Sequence, residues 1–392
     1  MKVKYFLFLF LALFFSPFAG AQEYIDLAQT TFKMSEKNFS LARNKQTNKV
    51  IEVSNMPPIR CQESVGICYA FAAATVLQRY YCELCHSNNC VNLAPEETIS
   101  PISTMFLLGG EQSNESFLLA ISESGAKILR NSQRLNSFRP EACFSFADFQ
   151  KVFGSSSQKI REVVAALKVQ YIQNKLEANA TEACVECLAK VDENQSEIKK
   201  LLQASSLMSQ LAAKKLNAAN ILNALKAGSF EKYLYRIFDT CNIDSISKAN
   251  HVYSGFPTEF GAAAKNQYIS KIEEGLSLDT PVLFEGACIR LKKISNTLEE
   301  PFNSKPGYVC SDKHTFVISG SATDCSLGVC KKYFKIHNSW CKGWLDQSGT
   351  EPENVWVDAD TLVDSINFKN GKNVDGNTIS WITKPVKVNK PK

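Results

Sequence analysis

Two short runs and two distant residues hold the groups needed for acyl transfer to a thiol. Gln62 and Cys68 lie six positions apart in Cys61-Gln62-Glu63-Ser64-Val65-Gly66-Ile67-Cys68-Tyr69-Ala70-Phe71-Ala72. Downstream, His314 sits in Lys313-His314-Thr315-Phe316-Val317 and Asn338 in Ile336-His337-Asn338-Ser339-Trp340. A protonated thiol is a poor nucleophile, so cysteine chemistry needs an imidazole that takes the proton and later gives it to the leaving amine. An asparagine can accept from the imidazole N–H and set its tautomer. A glutamine amide can donate to the oxyanion formed at the attacked carbonyl, beside the backbone N–H of the nucleophile. Cys68, His314, Asn338 and Gln62 are the candidate nucleophile, base, orienting group and oxyanion donor.

The chain has four histidines, His86, His251, His314 and His337. His86 belongs to a cysteine cluster, and His251 follows a helical stretch. His314 opens the apolar run Phe316-Val317-Ile318, so a strand end would present it in fixed geometry. His337 would point to the opposite face of its strand from Asn338. Taken singly, a cysteine at a helix start reads as a small core residue and a histidine at a strand start as a surface one. The four groups together favour chemistry. Trp340 is placed to shield the His–Asn contact from water, and Gly66 lets the chain turn into the helix.

These groups need elements to hold them. From Cys68 to Tyr81, residues Ala70, Phe71, Ala74, Leu77 and Tyr81 recur at helical spacing. Ala72, Ala73 and Val76 fill the gaps, so this helix is apolar nearly all round and should be buried. A thiol at its start would feel the positive end of the helix dipole, which predicts a lowered pKa. Residues 146–250 are rich in Ala, Leu, Lys, Glu and Gln and predict two or three helices, ending near Gly228 or after Phe238. After His251 the pattern becomes strand-like. Pro281-Val282-Leu283-Phe284, Phe316-Val317-Ile318, Tyr333-Phe334-Lys335-Ile336 and Val355-Trp356-Val357 predict an antiparallel sheet or open barrel.

The N-terminus sets the expected compartment. Lys2 and Lys4 precede the apolar run Tyr5–Phe15, and Ala19-Gly20-Ala21 offers small residues at a cleavage point. This is the pattern of a signal peptide cut after Ala21, with an apolar core too short to span a bilayer. An exported protein, extracellular or periplasmic, is expected, with no membrane contact after cleavage. Residues 22–55 read either as a short pro-segment or as an arm wrapped on the domain. The formal net charge of +5 falls to +3 without the two signal lysines, which gives no reason to invoke nucleic acid.

Fourteen cysteines in an exported chain read as disulfide material. Setting Cys68 aside leaves an odd number. Cys82, Cys85, His86 and Cys90 have the makings of a zinc knuckle, but local disulfides are the better reading here. Cys184 and Cys187, on a predicted helix, are expected to bridge to neighbouring helices, with Cys143 and Cys241 as candidates, rather than to each other. Cys325 and Cys330 flank a turn and would staple a hairpin. No metal and no cofactor is expected.

The same residues carry a resemblance. Gln62-x-x-x-Gly66-x-Cys68-Tyr69-Ala70-Phe71 resembles the nucleophile motif of the papain-like (C1) cysteine peptidases, with Tyr69 where Trp is usual. Lys313–Gly320 resembles that family's His strand, and His337-Asn338-Ser339-Trp340-Cys341-Lys342-Gly343-Trp344 its Asn-Ser-Trp segment. Ile99-Ser100-Pro101, Gly109-Gly110 and Pro281-Val282 are similar to further family stretches. The match covers roughly 60–130 and 275–360. It implies an α+β, papain-like two-lobe fold: a helical lobe over 56–145, a sheet lobe over 251–392 and an inserted helical subdomain over 146–250. It also implies that Gly109 and Gly110 offer backbone to an extended substrate, and that Asp312 and Thr315 line a specificity pocket.

Besides Tyr69, the chain departs from the family in four respects. Val65 replaces a usual cysteine and Cys341 a usual glycine. No inhibitory pro-domain of ordinary length precedes Gln62, and the stretch between Cys68 and His314 is unusually long. The expected activity is endopeptidase action on polypeptide through a thioester acyl-enzyme. The alternatives are an inactive papain-like binding protein that docks a protein partner through its helical insertion, and a papain-like amidase or transferase.

Overall fold

The computed structural model describes residues 24–26, 49–62, 65–85, 89–106, 125–135, 140–142, 145–153, 157–202, 217–238, 252–256, 264–293, 308–326, 329–340, 355–364, 368–369, 372–373 and 379–383. Strands β1 (Tyr24–Asp26) and β2 (Val50–Glu52) come first, followed by the long helix α1 (Cys68–Cys85). Next are α2 (Pro101–Phe106), α3 (Gly125–Leu135), α4 (Phe146–Phe153), α5 (Ser157–Asn174), α6 (Val185–Leu202), α7 (Ala218–Leu225) and α8 (Phe230–Phe238). The second half holds β3 (Val252–Phe256), α9 (Ala264–Ser277), β4 (Val282–Lys293), β5 (Tyr308–Ser326), β6 (Val329–His337) and β7 (Val355–Asp358). It closes with α10 (Ala359–Asp364), β8 (Phe368–Lys369), β9 (Lys372–Asn373) and β10 (Ile379–Thr383).

The molecule is a mixed α+β structure with an antiparallel sheet. The main sheet runs β3-β10-β4-β5-β6-β7, with β1 added to β4 and β2 to β5. The four apolar runs noted in the sequence, apart from Pro281, fall within β4, β5, β6 and β7. Strands β1 and β2 place parts of the 22–55 stretch in the sheet: Ile51 pairs with Ser321, and the Val53 N–H donates to Ser319 O at 2.8 Å.

Alternation along the central strands divides the interior. Leu283 of β4 and Val317 of β5 point toward α1 and join the helical core. Their neighbours Val282, Phe284, Phe316 and Ile318 point the other way, onto Tyr268, Ile272 and Leu276 of α9 and Leu362 and Val363 of α10. The sheet thus sits between α1 on one face and α9 and α10 on the other, as a period of two residues per strand repeat requires. Gly125 at the start of α3 permits close approach, since a Cβ there would lie 2.9 Å from Leu283 Cδ1 and 3.1 Å from the Tyr69 carbonyl.

Helix α1 is buried from Cys68 through Tyr80, as its all-round apolar pattern requires. One charge enters this core. Arg79 is 1% exposed and donates to Ser54 O at 2.6 Å and to Asp279 Oδ2 at 2.8 Å, tying α1 to the N-terminal arm and to the turn after α9. Burying a guanidinium is tolerable because its donors find acceptors.

The helical stretch differs from expectation in number. Among the described residues five helices, α4 to α8, lie between Phe146 and Phe238, where two or three were expected. Turns absent from the apolar periodicity divide it, such as the one capped by Asn217, whose side chain accepts from Asn220 N–H at 2.8 Å. Val163, Leu167, Val191, Ile198, Ile221 and Leu234 belong to the same continuous core as α1. Tyr171 donates to Ala227 O at 2.6 Å and Tyr233 to Asn194 Oδ1 at 3.1 Å, so the buried phenols are satisfied.

Three disulfides join described residues to one another, and Cys61 is disulfide-bonded as well. Cys82–Cys90 is a local link near the end of α1, and Cys325–Cys330 staples the β5–β6 hairpin. Cys184–Cys187 corrects the expectation of bridges to other helices: Cys184 lies one residue before α6, and its Cα is 5.0 Å from that of Cys187. A cysteine just outside the helix is not held to the helical side-chain direction, and this separation is ordinary for a disulfide. Cys143 and Cys241 lie outside the described residues. No described helix is long and apolar enough to cross a membrane.

Candidate active site

Three elements bring the chemistry-bearing residues to one place. The segment before α1 carries Gln62, the first residue of α1 is Cys68, β5 carries His314, and β6 leads directly into Asn338. In the β5–β6 register Val317 pairs with His337, which brings the end of β6 level with the stretch of β5 that follows His314.

The base side is tightly held. His314 Nε2 and Asn338 Oδ1 are 2.7 Å apart, with His314 3% exposed and Asn338 fully buried. The Trp340 ring covers the imidazole, with centroids 4.0 Å apart and planes inclined by 34°. Burial pushes the imidazole pKa down to about 4, against the hydrogen bond to Asn338, which raises it. The neighbouring His337 is pushed down further, to about 3, by burial and by the charges of Arg60 and Lys335. His337 lines a hollow shared with Ile59, Arg60, Thr75 and Asn338, which places it beside a guanidinium and makes it a poor base.

Gln62 is knitted to the segment that follows Asn338. Its backbone N–H donates to Ser339 O at 2.8 Å, its Oε1 accepts from the Ser339 hydroxyl, and its Nε2 donates to Val65 O at 2.9 Å. With Oε1 engaged by a donor, the NH₂ end is fixed, and one of its two hydrogens remains beyond the Val65 contact. Gly66 sits in the bend between Gln62 and Cys68, where the Ile67 N–H donates to Val65 O at 2.8 Å.

Cys68 is the one free cysteine among the described residues and is 7% exposed. The expectation that the helix start lowers its pKa does not hold in this conformation. Burial pushes the thiol up to about 11, outweighing hydrogen bonds from Thr315 and from the Tyr69 backbone, while the charge of Glu285 pushes in the same upward direction. A helix terminus and a few donors are worth less here than the loss of solvent around a thiolate.

Thr315 touches Cys68 through both its backbone and its side chain. It is 6% exposed, so this residue, read from the resemblance as part of a specificity pocket, lies against the Cys68 thiol. Asp312 is on β5 opposite Arg290. Gly109 and Gly110 lie outside the described residues, as does Cys341. Sequence reasoning passed over Ser339, which holds Gln62, and Glu285. A carboxylate within the otherwise apolar run Val282–Ala287 was the available signal for the latter.

The arrangement provides a thiol at a helix start, an imidazole locked by an amide under an indole, and a second amide fixed to Val65 and Ser339 in the segment before that helix. Loss of one thiol proton to the imidazole would leave an ion pair with donors already placed around it.

The chain matches no protein-family model and no curated protein. Among solved structures it is similar to SERA5E from Plasmodium falciparum, at 10% identity and a TM-score of 0.36, over 86% of this chain and 93% of that one. It is also similar to PepW from Lactobacillus rhamnosis, at 11% identity and a TM-score of 0.36, over 85% of this chain and 81% of that one.

Proposed function

We propose that this chain is a papain-like cysteine peptidase that hydrolyses peptide bonds through a thioester acyl-enzyme. The observation that carries the reading is the 2.7 Å contact of His314 Nε2 with Asn338 Oδ1 beneath Trp340, set beside a free thiol at the opening of α1. With Nε2–H donated to Asn338, Nδ1 is left as the basic nitrogen.

The steps follow from these groups. A substrate carbonyl approaches Cys68, the thiol proton passes to His314 Nδ1, and Sγ adds to the carbonyl carbon. The oxyanion takes a hydrogen bond from Gln62 Nε2 and another from the Cys68 backbone N–H, which lies where helix amides lack intrahelical acceptors. The imidazolium then protonates the leaving amine and the C–N bond breaks, leaving a thioester. Water, deprotonated by the same imidazole, hydrolyses the thioester and restores the thiol.

In this structure thiol and imidazole both favour their neutral forms, so on this reading proton transfer accompanies substrate binding rather than preceding it. Export fits the disulfides present, because such bonds persist in oxidising compartments. The deep burial of Cys68 favours one second reading, an inactive binding protein of the same fold. A peptidyl epoxide separates the two. The folded, oxidised protein should be labelled at Cys68 by mass spectrometry and should release peptides from a denatured protein. Absence of label on folded protein overturns the peptidase reading.

A further inference from the structure

One cysteine pair, outside the candidate active site, is built unlike the other pairs among the described residues. Cys184 and Cys187 stand three positions apart at the entry to α6, with Val185 and Glu186 between them. Cys184 holds the cap position of that helix: its carbonyl accepts the first helical hydrogen bond, from Leu188 N–H at 2.9 Å. Its sulfur takes the place of the serine or aspartate oxygen of an ordinary cap, accepting from the Cys187 backbone N–H at 3.1 Å.

The two sulfurs are unequally covered. Cys187 is 4% exposed and belongs to the core shared with α1, whereas Cys184 packs at the edge of that core and is partly open to solvent. Val185 is 82% exposed, so the chain between the two sulfurs faces solvent. By contrast, Cys82 and Cys90 are both buried, and Cys325–Cys330 joins paired residues of two strands rather than the start of a helix.

This placement favours exchange over reinforcement. The Cys184–Cys187 bond closes the shortest loop of the three, so it removes the least entropy from the unfolded chain and adds least to the fold. A sulfur freed at Cys184 keeps the Cys187 N–H and the first-turn amides of α6 as donors to a thiolate. The acidic residue of that turn, Glu186, has its charge met by Lys190 at 3.0 Å. Access decides which sulfur of a disulfide is attacked, and here it selects Cys184.

We propose that Cys184–Cys187 is a second reactive centre of this protein, a disulfide that exchanges with dithiols through the Cys184 sulfur. One thiolate of the dithiol attacks Cys184 Sγ, the bond to Cys187 breaks, and the Cys187 sulfur leaves with the electron pair and takes up a proton. The second thiolate then attacks its neighbour's sulfur in the mixed disulfide, and the Cys184 sulfur leaves in turn. Two electrons and two protons pass to the pair, and the dithiol departs as a disulfide. This activity goes beyond the peptidase reading and uses none of its residues.

The test begins with the full oxidised protein and increasing dithiothreitol as the probe dithiol, read by alkylation and peptide mapping. Cys184 and Cys187 should be alkylated at dithiothreitol concentrations about tenfold below those that open Cys82–Cys90 or Cys325–Cys330. Opening of either other pair at the same or a lower concentration overturns the proposal. Glutathione disulfide should cap Cys184 in the Cys187→Ser protein about tenfold faster than it caps Cys187 in Cys184→Ser, and equal rates overturn the role of Cys184. A synthetic peptide with two cysteine thiols should be oxidised by wild-type protein and not by Cys184→Ser, and oxidation that survives this change overturns the proposal as well. The dithiothreitol series needs no variant, so it decides alone if Cys184→Ser fails to fold.

Discussion

The two halves of the candidate site are built on opposite principles. On the strand side every neighbour supports its residue: Asn338 holds the His314 imidazole, Trp340 covers it, and the sheet fixes both. On the helix side the neighbours of Cys68 pull in different directions. Thr315 and the Tyr69 backbone donate to the sulfur, while burial and the charge of Glu285 resist its ionisation. On the proposed reaction, the base is ready before substrate arrives and the nucleophile is held back. Preorganising the base costs little, because a neutral histidine is content in a dry site. Preforming a thiolate there would cost much more.

Removing either half outright has the largest expected effect. Cys68→Ala should lower peptide hydrolysis by about 10⁴-fold or more, and His314→Ala should do nearly the same, since groups acting as a unit do not contribute additively. Single-turnover assays check this, and a variant retaining a tenth of wild-type rate would remove that group from the mechanism. Gln62→Ala should cost about 10²-fold in kcat with little change in KM, because its amide serves the oxyanion and not the ground state. A change confined to KM would reassign Gln62 to substrate binding.

Two smaller effects sharpen the contrast in charge. With the thiol pKa pushed up to about 11, alkylation of Cys68 by iodoacetamide should climb steadily above pH 8. A plateau already reached at pH 5 would mean a preformed ion pair. Glu285→Gln should move the profile toward lower pH, since a charge opposing the thiolate is removed.

The base side should leave its mark on stability. His314 and His337 are held neutral, with pKa values near 4 and 3 against 6.5 in an unfolded chain. A depressed pKa means the stabilisation is complete above about pH 6.5 and is lost as pH falls through the folded values. Urea midpoints should therefore drop between pH 6.5 and 4, and His337→Gln should flatten part of that drop. A midpoint independent of pH over this window would show that the two imidazoles titrate freely.

Much of this was legible along the chain. The all-round apolar pattern of Cys68–Tyr80 marked a buried helix, and α1 is buried there. The short apolar runs ending in Ile318 and Ile336 marked strands, and both lie in the sheet. The Cys325–Cys330 staple was legible because a turn between two strands leaves only one near partner. The pairing of Cys184 with Cys187 was not, because it depends on α6 beginning one residue later than the pattern suggested. The helical stretch was misjudged in number because turns such as the one at Asn217 are set by side-chain caps rather than by apolar periodicity.

The sequence by itself determined which reactive groups exist, which sit on helix or strand, and which faces are apolar, because residue type and periodicity are local properties. It could not decide the charge state of Cys68, which depends on how much water the fold removes and on which side chains arrive through space. The bulge at Glu285–Gly286 illustrates this best. One extra residue in β4, placed opposite Thr315, brings a carboxylate near enough for its charge to oppose ionisation of a thiol more than two hundred positions earlier in the chain. Only the tertiary structure made that pair, and electrostatics in a dry interior makes it count.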